Sequence, residues 1–262
     1  MVFGKDLVQN VYLLAEIVDH IEIVLFHTPD LHNIPRTYEI QHLKRIKEEK
    51  NITYSVHLPA SLEIASSDKN IRKMSIQFAR DIIKRMNELR PLHHIIHIPF
   101  TTPTLTPQPD VYFTSNDEKQ FYAWTPFALD SLKALKDAAG QGTKILVENI
   151  NYSPSFLNPL LHEGLCELCL DLGHLLLGRE NVTDALNNYL DKTEEIHLHG
   201  VIGYEEHLSL SVLPGERVAK WVRFLRQSAY RGIVNLEVFT PGDLEESMGI
   251  LTETIYFVSQ KS

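Results

Sequence analysis

The sequence predicts an α/β fold, most simply a (β/α)8 barrel of parallel strands, and two observations lead to this. Apolar residues recur with a helical period and then with a strand period, in alternation, from residue 7 to residue 255. Six of the strand-like segments also end in side chains that can bind a metal ion. Because the carboxyl ends of all strands meet at one rim of a parallel barrel, we expect these side chains to converge there.

The predicted elements follow one another without a linker or low-complexity tract, so we expect one domain, residues 1–262. Leu7, Val11, Leu14 and Val18 mark the first helix, and an apolar run at 21–26 marks the strand after it. Further strands are predicted at 53–58, 94–98, 144–147, 167–170, 195–198 and 234–239. Further helices are predicted at 38–50, 68–89, 125–139, 157–162, 183–190, 218–225 and 244–255.

Two details concern where elements begin. Thr125 and Pro126 have the residue types of an N-cap and a first-turn proline, and they predict a helix start at this point. A barrel of eight strands would also need a strand before the first helix, where residues 1–4 are barely long enough. The predicted fold is therefore a barrel whose first strand is short or missing.

Composition and charge exclude several classes of protein. The chain has no apolar run of about 18 residues and is not expected to cross a membrane. It starts without a hydrophobic signal region and has only two cysteines, which predicts a cytoplasmic protein. The net charge is −9, from 25 basic and 34 acidic residues, and no basic cluster is present. Long nucleic acid is therefore not an expected partner.

The strand ends supply the candidate metal ligands. They are His57, His97, Glu148, Asp171, His174, His199 and Glu237. Strand side chains alternate with a period of two, which places His197 on the same face as His199 but deeper in the barrel. We therefore expect His199 to be the ligand and His197 to support it or to pack in the interior. Glu148 and Glu237 end apolar strands, where an unpaired carboxylate would be costly to bury.

A carboxylate and an imidazole in the following loop, Glu205 and His207, suit a further metal ion, and Glu206 is an equally near acid. Imidazole and carboxylate ligands without thiolates fit Zn²⁺, Mn²⁺ or Fe²⁺, and one to three ions could be held. Glu148 could bridge two of them. Such a cluster polarises a phosphoryl oxygen and activates a bound water, which favours phosphodiester hydrolysis with Glu148 and Glu237 as catalytic residues.

Five motifs carry a resemblance to the xylose isomerase-like TIM barrel superfamily, which includes apurinic endonucleases, sugar isomerases and epimerases. They are V-H-L-P at 56–59, V-E-N at 147–149, C-L-D-L-G-H at 169–174, H-L-H-G at 197–200 and L-E-V at 236–238. The resemblance implies three metal positions. The implied ligand sets are His57, His97 and Glu148; Glu148, Asp171, His199 and Glu237; and His174, Glu205 and His207. The family usually has an aspartate where Glu205 stands.

Within the superfamily, the chain is most similar to the cobamide-remodelling phosphodiesterases, through the segments at 21–26, 53–59, 197–201 and 206–210. This resemblance implies cleavage of the nucleotide-loop phosphodiester of a corrinoid, a small-molecule substrate. The alternative is a divalent-metal sugar isomerase or epimerase, in which two glutamates exchange a proton at carbon. A DNA-repair endonuclease would keep the ligands but conflicts with the acidic charge. A barrel that only binds is the remaining alternative.

A long segment rich in Thr and Pro, residues 100–124, follows the His97 strand. Long loops without periodicity are often functional, and this one lies at the predicted catalytic rim. We expect it to form a lid or wall against a large, flat substrate. Tyr112, Phe121 and Trp124 are the candidate substrate contacts.

Overall fold

A computed structural model describes residues 5–99, 112–113 and 118–260. Its centre is a parallel sheet of seven strands, and each strand pairs with the strand of this sheet that follows it in the chain. These strands are β1 His20–Val24, β2 Thr53–His57, β3 His93–Ile96, β4 Lys144–Glu148, β5 Glu167–Asp171, β6 Thr193–Leu198 and β9 Ile233–Leu236. The remaining two, β7 Gly200–Ile202 and β8 Glu205–Leu208, form an antiparallel hairpin after β6.

The helices surround the sheet and alternate with its strands. They are α1 Leu7–Leu14, α2 Thr37–Lys50, α3 Lys69–Met86, α4 Glu118–Ala139, α5 Asn158–His162, α6 Leu172–Leu177, α7 Val182–Tyr189, α8 Gly215–Gln227 and α9 Pro241–Gln260. Several begin at side-chain caps, as where Asp68 accepts hydrogen bonds from the first backbone N–H groups of α3. The predicted α/β barrel architecture is thereby confirmed.

Three elements differ from the prediction. Helix α4 begins at Glu118, so Pro126 lies inside it rather than in its first turn. The six-residue helix α6 and the β7–β8 hairpin were not predicted. Each is shorter than the window over which hydrophobic periodicity can be read, and α6 starts directly from the strand before it.

Two apolar regions hold the barrel together. The larger core fills the space between the sheet and the helices, where outward-facing residues such as Tyr54, Val56 and Leu170 are fully buried. A small cluster of Ile95, Leu146 and Cys169 lies on the inward faces of β3, β4 and β5. The interior also contains buried polar residues such as Ser55, Glu195 and His197, which is unusual for a barrel whose inner layers are normally filled by branched apolar residues.

The barrel is nearly closed, with a seam between β1 and β9. In the described part of the chain these two strands are not paired with each other, and no strand precedes α1. A cavity of about 610 Å³ lies at the seam, lined by both strands together with α1 and α9. The same described residues include no helix with the length and apolar character that a membrane span needs.

Candidate metal centre

Four side chains from four strand ends meet at the middle of the rim. Asp171 and Glu148 end their strands, Glu237 follows β9, and His197 lies on β6. The Nδ1 atom of His197 lies 3.1 Å from Glu237 Oε2, 3.3 Å from Glu148 Oε1 and 3.7 Å from Asp171 Oδ2. We call these four residues the central group; one atom from each lies within 4.8 Å of one from every other.

The central group has the properties expected of a cation site. Its side chains are buried, and His197 Nδ1, Glu148 Oε1 and Glu237 Oε2 have no hydrogen-bond partner among the described residues. Buried carboxylate oxygens without partners are costly unless a cation or a donor lies between them. Three carboxylates and one imidazole are also a typical donor set for Mn²⁺, Fe²⁺ or Zn²⁺. The residues therefore fit a divalent metal ion.

A second group, His57 with His97, flanks the central group through Glu148. The Nε2 atoms of the two histidines lie 2.9 Å and 3.0 Å from Glu148 Oε2. His57 Nδ1 is 2.8 Å from the carbonyl of Leu58, which fixes the ring with Nε2 directed at the carboxylate. The two oxygens of Glu148 thus face different groups, as a bridging ligand requires.

A third group lies on the other side, where His174 and His207 approach Glu206. His174 Nδ1 is 2.9 Å from the backbone carbonyl of Asn149, and its Nε2 lies 3.5 Å from Glu206 Oε2. The Nε2 atom of His207 lies 3.7 Å from Glu206 Oε1. Glu205 and Glu206 both lie at the exposed start of β8, and Glu206 approaches the two histidines. These contacts favour Glu206 for this position, and the choice between Glu205 and Glu206 stays a prediction.

The relative placement of His197 and His199 also differs from the expectation. His199 was expected at the centre and His197 behind it, yet the ring of His197 faces the three carboxylates. His199 accepts the backbone N–H of His207 at Nδ1, at 3.0 Å, and its Nε2 lies 3.2 Å from Asp171 Oδ2. Both of its ring nitrogens are engaged with protein groups. Strand alternation predicts the shared face but not the depth at which the carboxylates meet.

Local sequence motifs hold this arrangement in place. Asn149, in V-E-N, accepts the backbone N–H of Asp171 and donates to its carbonyl, which locks the ends of β4 and β5 together. Asp171 also accepts the backbone N–H of His174 and so caps α6. Gly173 lies against the ring of His199, where a Cβ atom would be only 2.0 Å from that ring. The D-L-G-H motif therefore needs glycine for close approach as well as its two polar residues.

The electrostatic environment favours the metal-binding form of the acids. Burial would raise the pKa of Glu148, but His197 and His97 outweigh it and hold that pKa well below its usual range. The pKa of Glu237 is lowered in the same way, chiefly by His197 against burial. Burial also opposes the charge on His57, yet its hydrogen bond to Glu148 and the nearby carboxylates raise its pKa to about 9. Without a metal, the acids are ionised and His57 carries a proton.

The aromatic residues expected to contact substrate are placed differently from one another. Trp124 is buried inside α4 and donates from Nε1 to the carbonyl of Pro99, so its ring belongs to the core. Tyr112 packs against Gly178, where an added Cβ atom would meet its ring at 2.1 Å. The side chain of Phe121 and most of the 100–117 segment lie outside the described residues, so the expected lid stays a prediction.

Below the central group lies a layer of polar residues that were not among the predicted ligands. Glu22 Oε2 is 2.9 Å from His197 Nε2, and Glu195 pairs with His93 and lies 3.8 Å from the same Nε2. Glu22 interrupts the apolar segment I-E-I-V of β1. A lone carboxylate in an apolar strand is the pattern that predicted Glu148 and Glu237 as ligands. The same pattern is present at Glu22 and could have predicted its role.

Comparisons with known proteins agree with this architecture. Three solved structures are similar over nearly the whole chain. A D-tagatose 3-epimerase-like protein has a TM-score of 0.78 and 20% sequence identity, and the match covers 98% of this chain and 96% of that one. The 3-keto-D-glucoside 4-epimerase YcjR from E. coli has a TM-score of 0.70 and 14% identity, with 96% and 95% of the two chains covered. The TTHB071 protein from Thermus thermophilus, soaked with ZnCl2, has a TM-score of 0.63 and 22% identity, with 90% and 88% covered. At these identities the likeness shows the fold.

These comparisons also bear on the finer expectations. No curated protein sequence matches the chain significantly. Several of the similar structures are named as sugar epimerases, and the assignment to cobamide-remodelling phosphodiesterases finds no support. Residues 11–254 match the family described as xylose isomerase-like TIM barrel. The match includes every candidate ligand, and the chain therefore belongs to the xylose isomerase-like TIM barrel family.

Proposed function

We propose that the protein is a divalent-metal-dependent enzyme that hydrolyses a phosphoester of a small substrate at a centre of two or three ions. The observation that carries this proposal is the position of Glu148. Its Oε1 faces the central group, and its Oε2 faces His57 and His97. A carboxylate that faces two ligand groups is suited to hold two ions close together, as in two-metal hydrolases.

Bound ions would polarise the phosphoryl oxygen and lower the pKa of a bound water into the neutral range. The protein would hold the deepest ion through Asp171 and His197, which are fully buried and cannot reach a substrate. His97 and His207 are more open, with 19% and 18% of their side chains exposed. We infer that substrate approaches over these two histidines, while Glu148 and Glu237, whose pKa values are lowered by the nearby histidines against burial, stay ionised.

Charge supports a small substrate over a long nucleic acid. The chain carries a net charge of −9, and polyanion binding depends on a basic surface that neutralises successive phosphates. A single phosphoester needs only the local positive charge of the metal centre. The proposed substrate class is therefore a small phosphoester.

A metal-dependent sugar isomerase or epimerase is the second candidate, and the comparisons favour it over the first. Similar structures include a D-tagatose 3-epimerase-like protein, an L-ribulose 3-epimerase and a D-psicose 3-epimerase with D-tagatose. In this function the central group would hold one ion, with Glu148 and Glu237 moving the proton. The contacts of Glu148 weigh against it, since both of its oxygens face histidines rather than an open space.

Parallel assays of one preparation can separate the two functions. Metal-stripped protein would be reconstituted with Zn²⁺, Mn²⁺ or Fe²⁺ and supplied with an aryl phosphodiester, an aryl phosphomonoester and a set of ketohexoses. We expect metal-dependent release of the aryl alcohol, lost with a chelator and restored by metal. Metal-dependent epimerisation of a ketohexose without phosphoester cleavage would replace the first proposal by the second.

A further inference from the structure

A buried carboxylate, Glu22, lies on β1 below the metal centre. Its side chain is 2% exposed, and its Oε2 lies 2.9 Å from Nε2 of His197. The other ring nitrogen of His197, Nδ1, faces the carboxylates of the central group. The imidazole of His197 thus stands between a buried carboxylate and the candidate metal position.

The chemistry of imidazole determines which ring nitrogen binds a metal ion and which one carries the proton. A histidine that binds a metal ion through Nδ1 must have its lone pair there, so its proton resides on Nε2. That N–H is buried and needs an acceptor, and metal-bound histidines commonly donate this proton to a carboxylate. Glu22 is the nearest acceptor: Glu195 is 3.8 Å from Nε2, and its other oxygen is paired with His93.

We propose that Glu22 is a positioning residue that holds the proton of His197 on Nε2 and so presents Nδ1 to the central metal ion. The inference rests on the proposed metal centre but on neither of its two candidate reactions. It assigns Glu22 no contact with substrate. The carboxylate acts only through the imidazole, by fixing its tautomer and orientation and by making it a stronger ligand.

Stability alone gives little reason for a carboxylate at this position. Glu22 lies in an otherwise apolar strand, and its second oxygen, Oε1, has no hydrogen-bond partner among the described residues. Replacing a whole buried ion pair by apolar residues is often neutral or stabilising, but removing one partner of such a pair is destabilising. Metal affinity, rather than the stability of the metal-free protein, is therefore the measurement that separates a positioning role from a structural one.

The test compares the full-length variants Glu22→Gln and Glu22→Ala with Glu195→Gln as the matched control. Glu195 lies in the same polar layer, is equally buried and is also near His197. Metal-free proteins would be titrated calorimetrically with ZnCl2 and with MnCl2, and their melting temperatures measured with and without metal. The isosteric glutamine keeps the volume, so this variant isolates the loss of charge.

We expect metal affinity to fall about 10-fold in Glu22→Gln and about 100-fold in Glu22→Ala, the usual range for such partners. The melting temperature of both metal-free proteins should fall, more in Glu22→Ala because it also leaves a cavity, and the stabilisation by metal should be smaller. Glu195→Gln should bind metal within about 3-fold of wild type. Unchanged affinity in Glu22→Gln would overturn the proposal, as would an equal loss in Glu195→Gln. A wild-type protein that binds no metal would overturn the metal centre as well, so the two failures are distinguishable.

Discussion

The central group and the two flanking histidine groups differ in whether their polar atoms already have partners in the protein. In the central group, Glu148 Oε1, Glu237 Oε2 and His197 Nδ1 are buried without hydrogen-bond partners among the described residues. In the flanking groups, His57 and His97 already contact a carboxylate oxygen, and His174 and His207 approach Glu206. The centre therefore calls for a cation whichever reaction the protein performs, whereas the flanking histidines decide between one ion and several.

Glu148 joins the two kinds of site, so its replacement should have the largest effect. Glu148→Gln removes the charge that faces both the central group and the His57 pair. We expect kcat/KM to fall by about 10³-fold or more, since bound metal contributes several kcal/mol to the transition state. Steady-state kinetics with metal analysis would measure it. His94→Gln is the matched control, since His94 is buried but contacts Asn87 instead.

His197 and His199 allow the next comparison. If His197 is the central ligand, His197→Ala should weaken metal binding by about 100-fold or more. His199→Ala should weaken it by only about 10-fold, because His199 positions Asp171 and the hairpin. Calorimetric titration of the two metal-free variants would measure the difference. The opposite ranking would restore His199 to the centre.

The flanking histidines test the number of ions. His57→Ala and His97→Ala should each lower the metal content by about one ion per chain and abolish phosphoester hydrolysis, while the central ion remains. Elemental analysis of each variant beside wild type would show it. Metal content equal to that of wild type would mean that these histidines only position Glu148, which is what a sugar isomerase would need.

The pH dependence of the metal-free protein should show the smallest effect. The pKa of His57 is raised to about 9, so in the pH range from 6.5 to 9 the folded protein binds more protons than the unfolded one. The stability that this proton supplies is fully present below pH 6.5 and is lost as pH rises through 9. Thermal unfolding across this range should show a falling melting temperature. His57→Gln should weaken the trend without removing it, because nearby carboxylates also raise the pKa values of His174, His197 and His199 against burial. A slope equal to that of wild type would contradict a contribution from His57.

The sequence allowed much of the fold and the outline of the site to be predicted, for physical reasons that also explain the misses. Strand period and barrel geometry bring His57, Glu148 and Asp171 to one rim although they are far apart in sequence. The depth of His197 depends on how far each strand extends past its neighbours, which is a tertiary property. Trp124 looked like a loop aromatic because the helix that buries it begins at Glu118, well before the proline taken as its start.

The number of metal ions per chain tests the central claim most directly. Elemental analysis of wild-type protein, reconstituted with each candidate metal and freed of excess ions, should give two or three ions per chain. One ion per chain, held by the central group alone, would contradict a polynuclear centre and leave the sugar isomerase or epimerase as the better account.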